Sequence, residues 1–329
     1  IVPAYSGNQS RFSVEVVGMD GELSEFSRKE YWERLKAIGL RSEESSAIVD
    51  HLYQNLLRRR RQMSAETIDA IVYRMFRRSK ELGPAVAHRW LVWCDFVNSG
   101  RPIVLLIGGT AGSGKSTIAA DLASGLGITR SQSTDILREV IRSIGTEEGL
   151  QLLQQSSYTA WQELPVATKE QFSEHDELVM EGFRHQADAM ASAVDAVIQR
   201  AQHENVSLIM EGVHIRPAHA ERYISGEGAF IFPLVLGVVK RKRLQQRLKG
   251  RSDNVPQRRV ERYLNHLEEI WALQSGILSE ADQHGVPIIL NDNKEVTYRE
   301  IMLSVIDKLS QDFAKSAEEI FETNDKAIS

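Results

Sequence analysis

The sequence predicts an α/β protein: a doubly wound domain, with helices on both faces of a parallel sheet, preceded by a small, mainly helical α+β domain. Three observations carry this. The apolar runs 103–107, 206–210, 230–239 and 286–290 are continuous rather than alternating, as in strands buried on both faces. Helical patterns lie between them, and buried strands alternating with helices imply parallel crossovers. The 329 residues suffice for two domains, at roughly 150 residues each. The most turn-rich stretch, Asn98, Ser99, Gly100, Arg101 and Pro102, falls where the pattern changes. The first domain is therefore expected over 1–98 and the second over 99–329.

In the first domain, residues 1–11 are polar. Phe12, Val14 and Val16 then alternate with polar neighbours as a strand does, and Asp20 and Gly21 supply a hairpin turn. Ser27, with Glu30 three residues on, starts a helix whose Tyr31, Leu35 and Ile38 share a face and which Gly39 ends. Further helices are expected over about 42–61, after Ser64, and over about 83–97. Cys94, set among Trp90, Leu91, Val92, Trp93 and Phe96, reads as an inert core thiol. The tail after Asp312 is charged and reads as a helix that frays.

The chemistry begins behind the first buried run. Gly109, Thr110, Ala111, Gly112, Ser113, Gly114, Lys115 and Ser116 fill the Walker A pattern, with a strand before it and helix-like residues from Thr117 after it. Its glycines let backbone N–H groups wrap phosphate oxygens, and the helix N-terminus adds its positive end. Lys115 is expected on the β- and γ-phosphates and the Ser116 hydroxyl on Mg²⁺. The domain is thus expected to be a P-loop NTPase sheet, with Gly109 to Thr117 binding nucleotide.

Ligands of such sheets lie at the carboxyl ends of the strands. Glu211 ends one buried run and is expected to hold Mg²⁺. Asp135 precedes a helix over 136–144, where a cap and a catalytic base are equally good readings. His214, on the loop leaving Glu211, is the best histidine for a substrate contact, with a structural hydrogen bond close behind. Arg138, one turn past Asp135, suits an anionic acceptor. Between Lys240 and Arg262 ten Lys or Arg stand against Asp253 and Glu261, where a solvated face would mix signs. Arg243 and Arg247, four apart on one helical face, are the lid arginines expected to act in catalysis.

Composition removes other classes. Lys and Arg number 40 against 45 Asp and Glu, a net charge of −5, which disfavours nucleic acid as a general partner. One cysteine excludes an intrachain disulfide, and the nine histidines show no HxxxH or HExxH spacing. No apolar run approaches the ~20 residues of a membrane span, and 1–5 lacks a signal-peptide pattern. A cytoplasmic setting is expected.

The ordered segments resemble the 2-phosphoglycerate kinase family. They are Arg101 to Thr117, then Ser133, Thr134 and Asp135, then Ser156, Ser157, Tyr158 and Trp161. Gly182, Phe183 and Gln186 follow, then Glu211, Gly212, Val213 and His214, then Arg262 to His266 and Gln274. The first domain is similar to an ATP-cone, a regulatory nucleotide-binding module, on residues 14–40. The resemblance implies ATP and Mg²⁺, transfer of the γ-phosphoryl group to 2-phosphoglycerate or a similar phosphorylated small metabolite, and allows a homo-oligomer. Acceptors of another kind, an inositol phosphate or an RNA-linked group, are the alternative enzyme reading. A nucleotide-responsive regulator without catalysis is the non-enzyme reading, disfavoured by Lys115, Ser116, Asp135 and Glu211 standing together.

Overall fold

The computed structural model describes residues 14–17, 22–59, 62–144, 147–224, 228–250 and 257–321. The chain divides into two compact units, Ile1–Gly100 with Met302–Ser329, and Arg101–Ile301.

The first unit has a three-stranded sheet in the order β2-β1-β3. β1 (Glu15–Val17) pairs antiparallel with β2 (Leu23–Glu25) and parallel with β3 (Met63–Ser64). Phe12 and the Asp20–Gly21 turn lie outside the described residues. Helices α1 (Arg28–Ala37), α2 (Ser42–Arg59), α3 (Ala65–Arg78) and α4 (Gly83–Asn98) follow. Ser27 caps α1, its hydroxyl accepting from the Glu30 N–H, and Ser64 caps α3 through Thr67. Both side chains satisfy N–H groups that a helix start leaves without partners. Gly39 sits at φ +82°, the left-handed turn that ends α1. Cys94 is buried, where its thiol is pushed far up by burial and the nearby Asp69 carboxylate, so it is an inert core thiol.

The tail differs from the expected domain division. Residues 302–321 pack with the first unit rather than with the sheet domain. Phe313 meets Phe96 edge-on at 5.3 Å, Phe321 lies 5.9 Å from Tyr73, and Lys315 pairs with buried Asp95 at 3.0 Å.

The second unit holds a parallel five-stranded sheet in the order β5-β6-β4-β7-β8. Its strands are β4 (Ile103–Gly108), β5 (Ser131–Ser133), β6 (Leu208–Glu211), β7 (Phe230–Gly237) and β8 (Ile288–Leu290). The apolar runs become four of them, and β5 is the polar edge strand that no apolar run announces. Its helices are α5 (Lys115–Gly125), α6 (Thr134–Ile144), α7 (Glu147–Gln154), α8 (Val166–Lys169), α9 (His175–His203), α10 (Ala220–Ile224), α11 (Arg241–Gly250), α12 (Gln257–Asn265) and α13 (Leu267–Gln283). Two more follow, α14 (Lys294–Leu309) and α15 (Ala317–Ile320), and the division between the units falls within α14.

The order of the strands places the helices. Parallel crossovers are right-handed, so connections that step in opposite directions put their helices on opposite faces. The step from β4 to β5 carries α5 to one face. The steps from β5 to β6 and from β6 to β7 carry α9 and α10 to the other. There Val194, Ile198 and Tyr223 bury Val104, Leu106, Leu208, Met210 and Ile231. The direction of connection reverses at β4, and the crevice beyond its carboxyl end is where such sheets take ligands.

Candidate active site

β4 is buried throughout, and its exit is the phosphate loop. Gly112 (φ +83°) and Gly114 (φ +90°) occupy left-handed conformations that side chains resist. Space is also lacking: a Cβ on Gly112 would lie 2.7 Å from Leu244 Cδ1, and one on Gly114 would lie 2.3 Å from Asn291 Nδ2. The loop runs straight into α5, so its N–H groups and the helix end face the same point.

Lys115 is buried and donates to the Thr110 carbonyl at 2.8 Å, folding its ammonium back over the loop. The hydroxyls of Thr110 and Ser113 are buried without a hydrogen-bond partner. A buried orphan hydroxyl costs free energy, and a phosphate oxygen in the loop is a partner that would remove the cost. Ser116 donates to Glu211 Oε1 at 2.9 Å, bringing together a hydroxyl from the first turn of α5 and the carboxylate that ends β6. Hard oxygen donors of this kind, completed by phosphate oxygens and water, fit Mg²⁺. Among the described residues no group of three His, Cys, Asp or Glu could hold a metal alone.

The segments on either side of Glu211 form one unit. The Ser133 hydroxyl accepts from the Asp135 N–H at 3.2 Å, so Ser133 serves as the cap and the Asp135 carboxylate projects from the first turn of α6, exposed. Arg138 Nη2 lies 3.9 Å from that carboxylate, and Arg138 Nη1 donates to the Gln155 carbonyl at 3.3 Å. The cap reading thus passes to the neighbouring residue and frees Asp135.

His214 is where the structure corrects the expectation. Rather than facing a substrate it is buried, 1% exposed, with both ring nitrogens engaged. Gln186 Nε2 donates to the Leu152 and Gln155 carbonyls, so Gln186 Oε1 is left to accept from His214 Nε2 at 3.1 Å. His214 Nδ1 then accepts from the Thr134 hydroxyl at 3.1 Å. Burial, followed by the positive charge of Arg138, pushes the imidazole down to about 4, so it is neutral. Gly212 is required between Glu211 and His214, because a Cβ there would lie 1.8 Å from Thr134 Oγ1. Glu211 therefore meets the Ser116 hydroxyl, Gly212 clears Thr134, and His214 holds the first turn of α6.

The arginines of α11 are also placed differently from a free lid. Arg247 Nη1 donates to the Ser113 carbonyl at 3.2 Å, and its Nη2 donates to the Asn291 carbonyl. Arg243 pairs with Asp292 at 3.0 Å. Arg247 thus lies against the phosphate loop, whereas Arg243 is held at the exit of β8.

Asn291 is a residue the sequence reading missed. It is buried, donates to the Ser113 carbonyl at 2.8 Å and accepts from the Thr297 hydroxyl at 3.2 Å, tying the loop to β8. Its one signal is a polar residue directly after the last buried run. Gln274 does the same work at the end of β7: its amide bonds both the N–H (2.9 Å) and the carbonyl (3.0 Å) of Val238.

Sheet order, phosphate loop and the Ser116–Glu211 pair define a P-loop phosphotransferase. The chain belongs to the 2-phosphoglycerate kinase family and is an ATP-dependent kinase. The 2-phosphoglycerate kinase of Pyrococcus furiosus is 32% identical over 312 residues, covering 94% of this chain and 99% of that one. That of Methanothermobacter thermautotrophicus is 32% identical over 276 residues, 83% of this chain and 86% of the relative. That of Pyrococcus horikoshii is 34% identical over 222 residues, 68% and 70% of the two chains. No family model matches the chain. A shikimate kinase from Acinetobacter baumannii in complex with shikimate superposes with a TM-score of 0.35 at 16% identity, covering 67% of this chain and 99% of that one. The fold assignment rests instead on the strand order and the loop. Among the described residues no helix is long and apolar enough to cross a membrane.

Proposed function

We propose that the chain transfers the γ-phosphoryl group of ATP to the free hydroxyl of 2-phosphoglycerate, giving 2,3-bisphosphoglycerate. The observation that carries this reading is the pairing of the exposed Asp135 carboxylate with the half-buried Arg138 on α6, a helix whose first turn is tied through Thr134 and His214 to the loop leaving Glu211. A base and a cation thus stand together for an acceptor that carries both a hydroxyl and anions. The names of the relatives point to the same acceptor.

In this reading Gly109 to Thr117 cradle the phosphates, and Lys115 swings from the Thr110 carbonyl to the β- and γ-phosphates. Ser116 and Glu211 hold Mg²⁺, which when bound neutralises phosphate charge. Arg138 orients the acceptor anion. Asp135 accepts the hydroxyl proton as the acceptor oxygen bonds to the γ-phosphorus and the bond to the β–γ bridging oxygen breaks. Arg247, at the loop, adds charge to the transition state, with Arg243 beside it. Positioning and charge neutralisation supply most of the acceleration. His214 acts as a positioning residue for α6. The first unit is the regulatory module that the ATP-cone resemblance implies, and nucleotide binding that persists in Lys115→Ala would support that role.

The test is ADP release with Mg²⁺ and ATP against 2-phosphoglycerate, 3-phosphoglycerate, glycerate, inositol phosphates and no acceptor. Stimulation by 2-phosphoglycerate is expected. Stimulation by another member of the panel, or by none, overturns the acceptor.

A further inference from the structure

Gln186 of α9 is among the residues that carry the family resemblance, and the transfer just described gives it no role. Its amide is nevertheless fully committed. The residue is 0% exposed. Nε2 donates to the Leu152 carbonyl at 2.7 Å and to the Gln155 carbonyl at 3.0 Å, which uses both of its hydrogens. Leu152 lies in the last turn of α7, where helix carbonyls have no partner within the helix. Two carbonyls on Nε2 fix which way the amide faces, and Oε1 meets His214 Nε2 at 3.1 Å.

From this amide two branches run to α6. In the first, the Gln155 carbonyl also accepts from Arg138 Nη1 at 3.3 Å, so Gln186 and Arg138 share one oxygen. The second passes through His214 to the Thr134 hydroxyl at 3.1 Å, and Thr134 is the residue before Asp135. This branch carries direction as well as position. Gln186 Oε1 can only accept, so His214 holds its proton on Nε2. Nδ1 is then an acceptor, and the Thr134 hydroxyl donates to it. The branches meet where Arg138 Nη2 lies 3.9 Å from the Asp135 carboxylate.

Packing alone holds α6 weakly. Among its residues only Thr134 is buried, and Ile136, Val140 and Ile144 are exposed. The hydrogen bonds that reach it from α9 therefore carry much of its placement. We propose that Gln186 is a positioning residue for the acceptor half of the site, its one amide setting Asp135 through His214 and Thr134 and Arg138 through the Gln155 carbonyl. The inference rests on the phosphoglycerate reading and deepens it: the spacing of the proton acceptor and the cation on α6 is referenced to a single side chain of α9.

The test measures initial rates with ATP and 2-phosphoglycerate in Gln186→Met, Thr134→Val and Arg138→Ala, and in Gln186→Met combined with Arg138→Ala. Gln186→Met keeps the length of the side chain and cuts both branches. It should raise the KM for 2-phosphoglycerate and lower kcat, each by about tenfold, and leave the KM for ATP within about twofold. Thr134→Val keeps the shape and cuts only the branch to Asp135, so kcat should fall severalfold with the acceptor KM within about twofold. In the Arg138→Ala background Gln186→Met should raise the acceptor KM by less than about twofold, because the branch it breaks no longer ends on a cation. A residue that only stabilises the fold would raise the KM for ATP as much as that for the acceptor, or would add its full effect to Arg138→Ala, and either result overturns the proposal. A second reading needs no variant of Gln186. Nitrogen-15 NMR of the His214 ring in the unmodified chain, assigned by its loss in His214→Gln, should show the proton on Nε2 at pH 7. A proton on Nδ1, or a mixture of the two forms, overturns the branch to Asp135. If the unmodified chain turns over a different acceptor, the phosphoglycerate reading falls and the same ratios on that acceptor decide Gln186. No turnover on any acceptor overturns both.

Discussion

Lys115 and His214 illustrate two ways in which a single side chain serves this site. Lys115 is a charge held over the phosphate loop, and in the proposed transfer its replacement removes a donor to the transferring group. Lys115→Ala should lower kcat by about 10²–10³, with the melting temperature little changed; ADP release and thermal unfolding check the two halves. Full turnover by that variant would remove the loop from catalysis. His214 acts through its neutrality. Its imidazole is pushed down to about 4 in the folded chain by burial, then by Arg138, against about 6.5 when unfolded. Between those values the unfolded chain binds the extra proton, so stability is complete above about pH 6.5 and falls as pH drops toward 4, by on the order of 3 kcal/mol. Urea unfolding at pH 7, 6, 5 and 4.5 should show this slope, and it should flatten in His214→Gln. Equal slopes in the two proteins would show that His214 is not the titrating group.

The elements show which parts of the fold could be read in advance. β4, β6, β7 and β8 announce themselves because burial on both faces forces continuous apolar runs, and the loop because only glycine fits its left-handed turns. β5 (Ser131–Ser133) is invisible, because an edge strand of three polar residues leaves no hydrophobic signature. His214 was half legible: its position behind Glu211 marked it, but only packing shows that Gln186 and Thr134 close both sides of the ring. Asn291 was not legible, since nothing local in its sequence points to Ser113, 178 residues away. Its effect is a matter of elements, because it fixes the loop between β4 and α5 to the end of β8. Asn291→Ala should leave the Ser113 carbonyl with Arg247 alone, cost about 1–3 kcal/mol, and raise the KM for ATP severalfold more than that for the acceptor. Chemical denaturation and initial-rate kinetics measure both, and an unchanged KM for ATP would show that the loop holds its shape without this anchor.

At the scale of the whole chain, sequence order and unit membership part company. The tail after α14 was expected to end the sheet domain, since it follows β8 directly, yet its apolar residues find their partners near residues 73 and 96. The reason is burial. Phe313 and Phe321 are too few to build a core of their own, so they complete one supplied by Tyr73 and Phe96 of α3 and α4, and Lys315 compensates the buried Asp95 charge. A buried phenylalanine truncated to alanine loses its transfer free energy and leaves a cavity, together about 3–5 kcal/mol. Phe313→Ala should therefore destabilise the first unit by about that amount. The phosphate loop, Glu211 and α6 lie in Arg101–Ile301, so kcat at temperatures below the transition should stay within twofold. Hydrogen exchange resolves the two effects: protection should fall across α3 and α4 and persist in β4 and β7. Loss of protection in β4 at the same denaturant concentration would mean that the units unfold together, and that the tail's contribution belongs to the entire chain rather than to the unit it packs with.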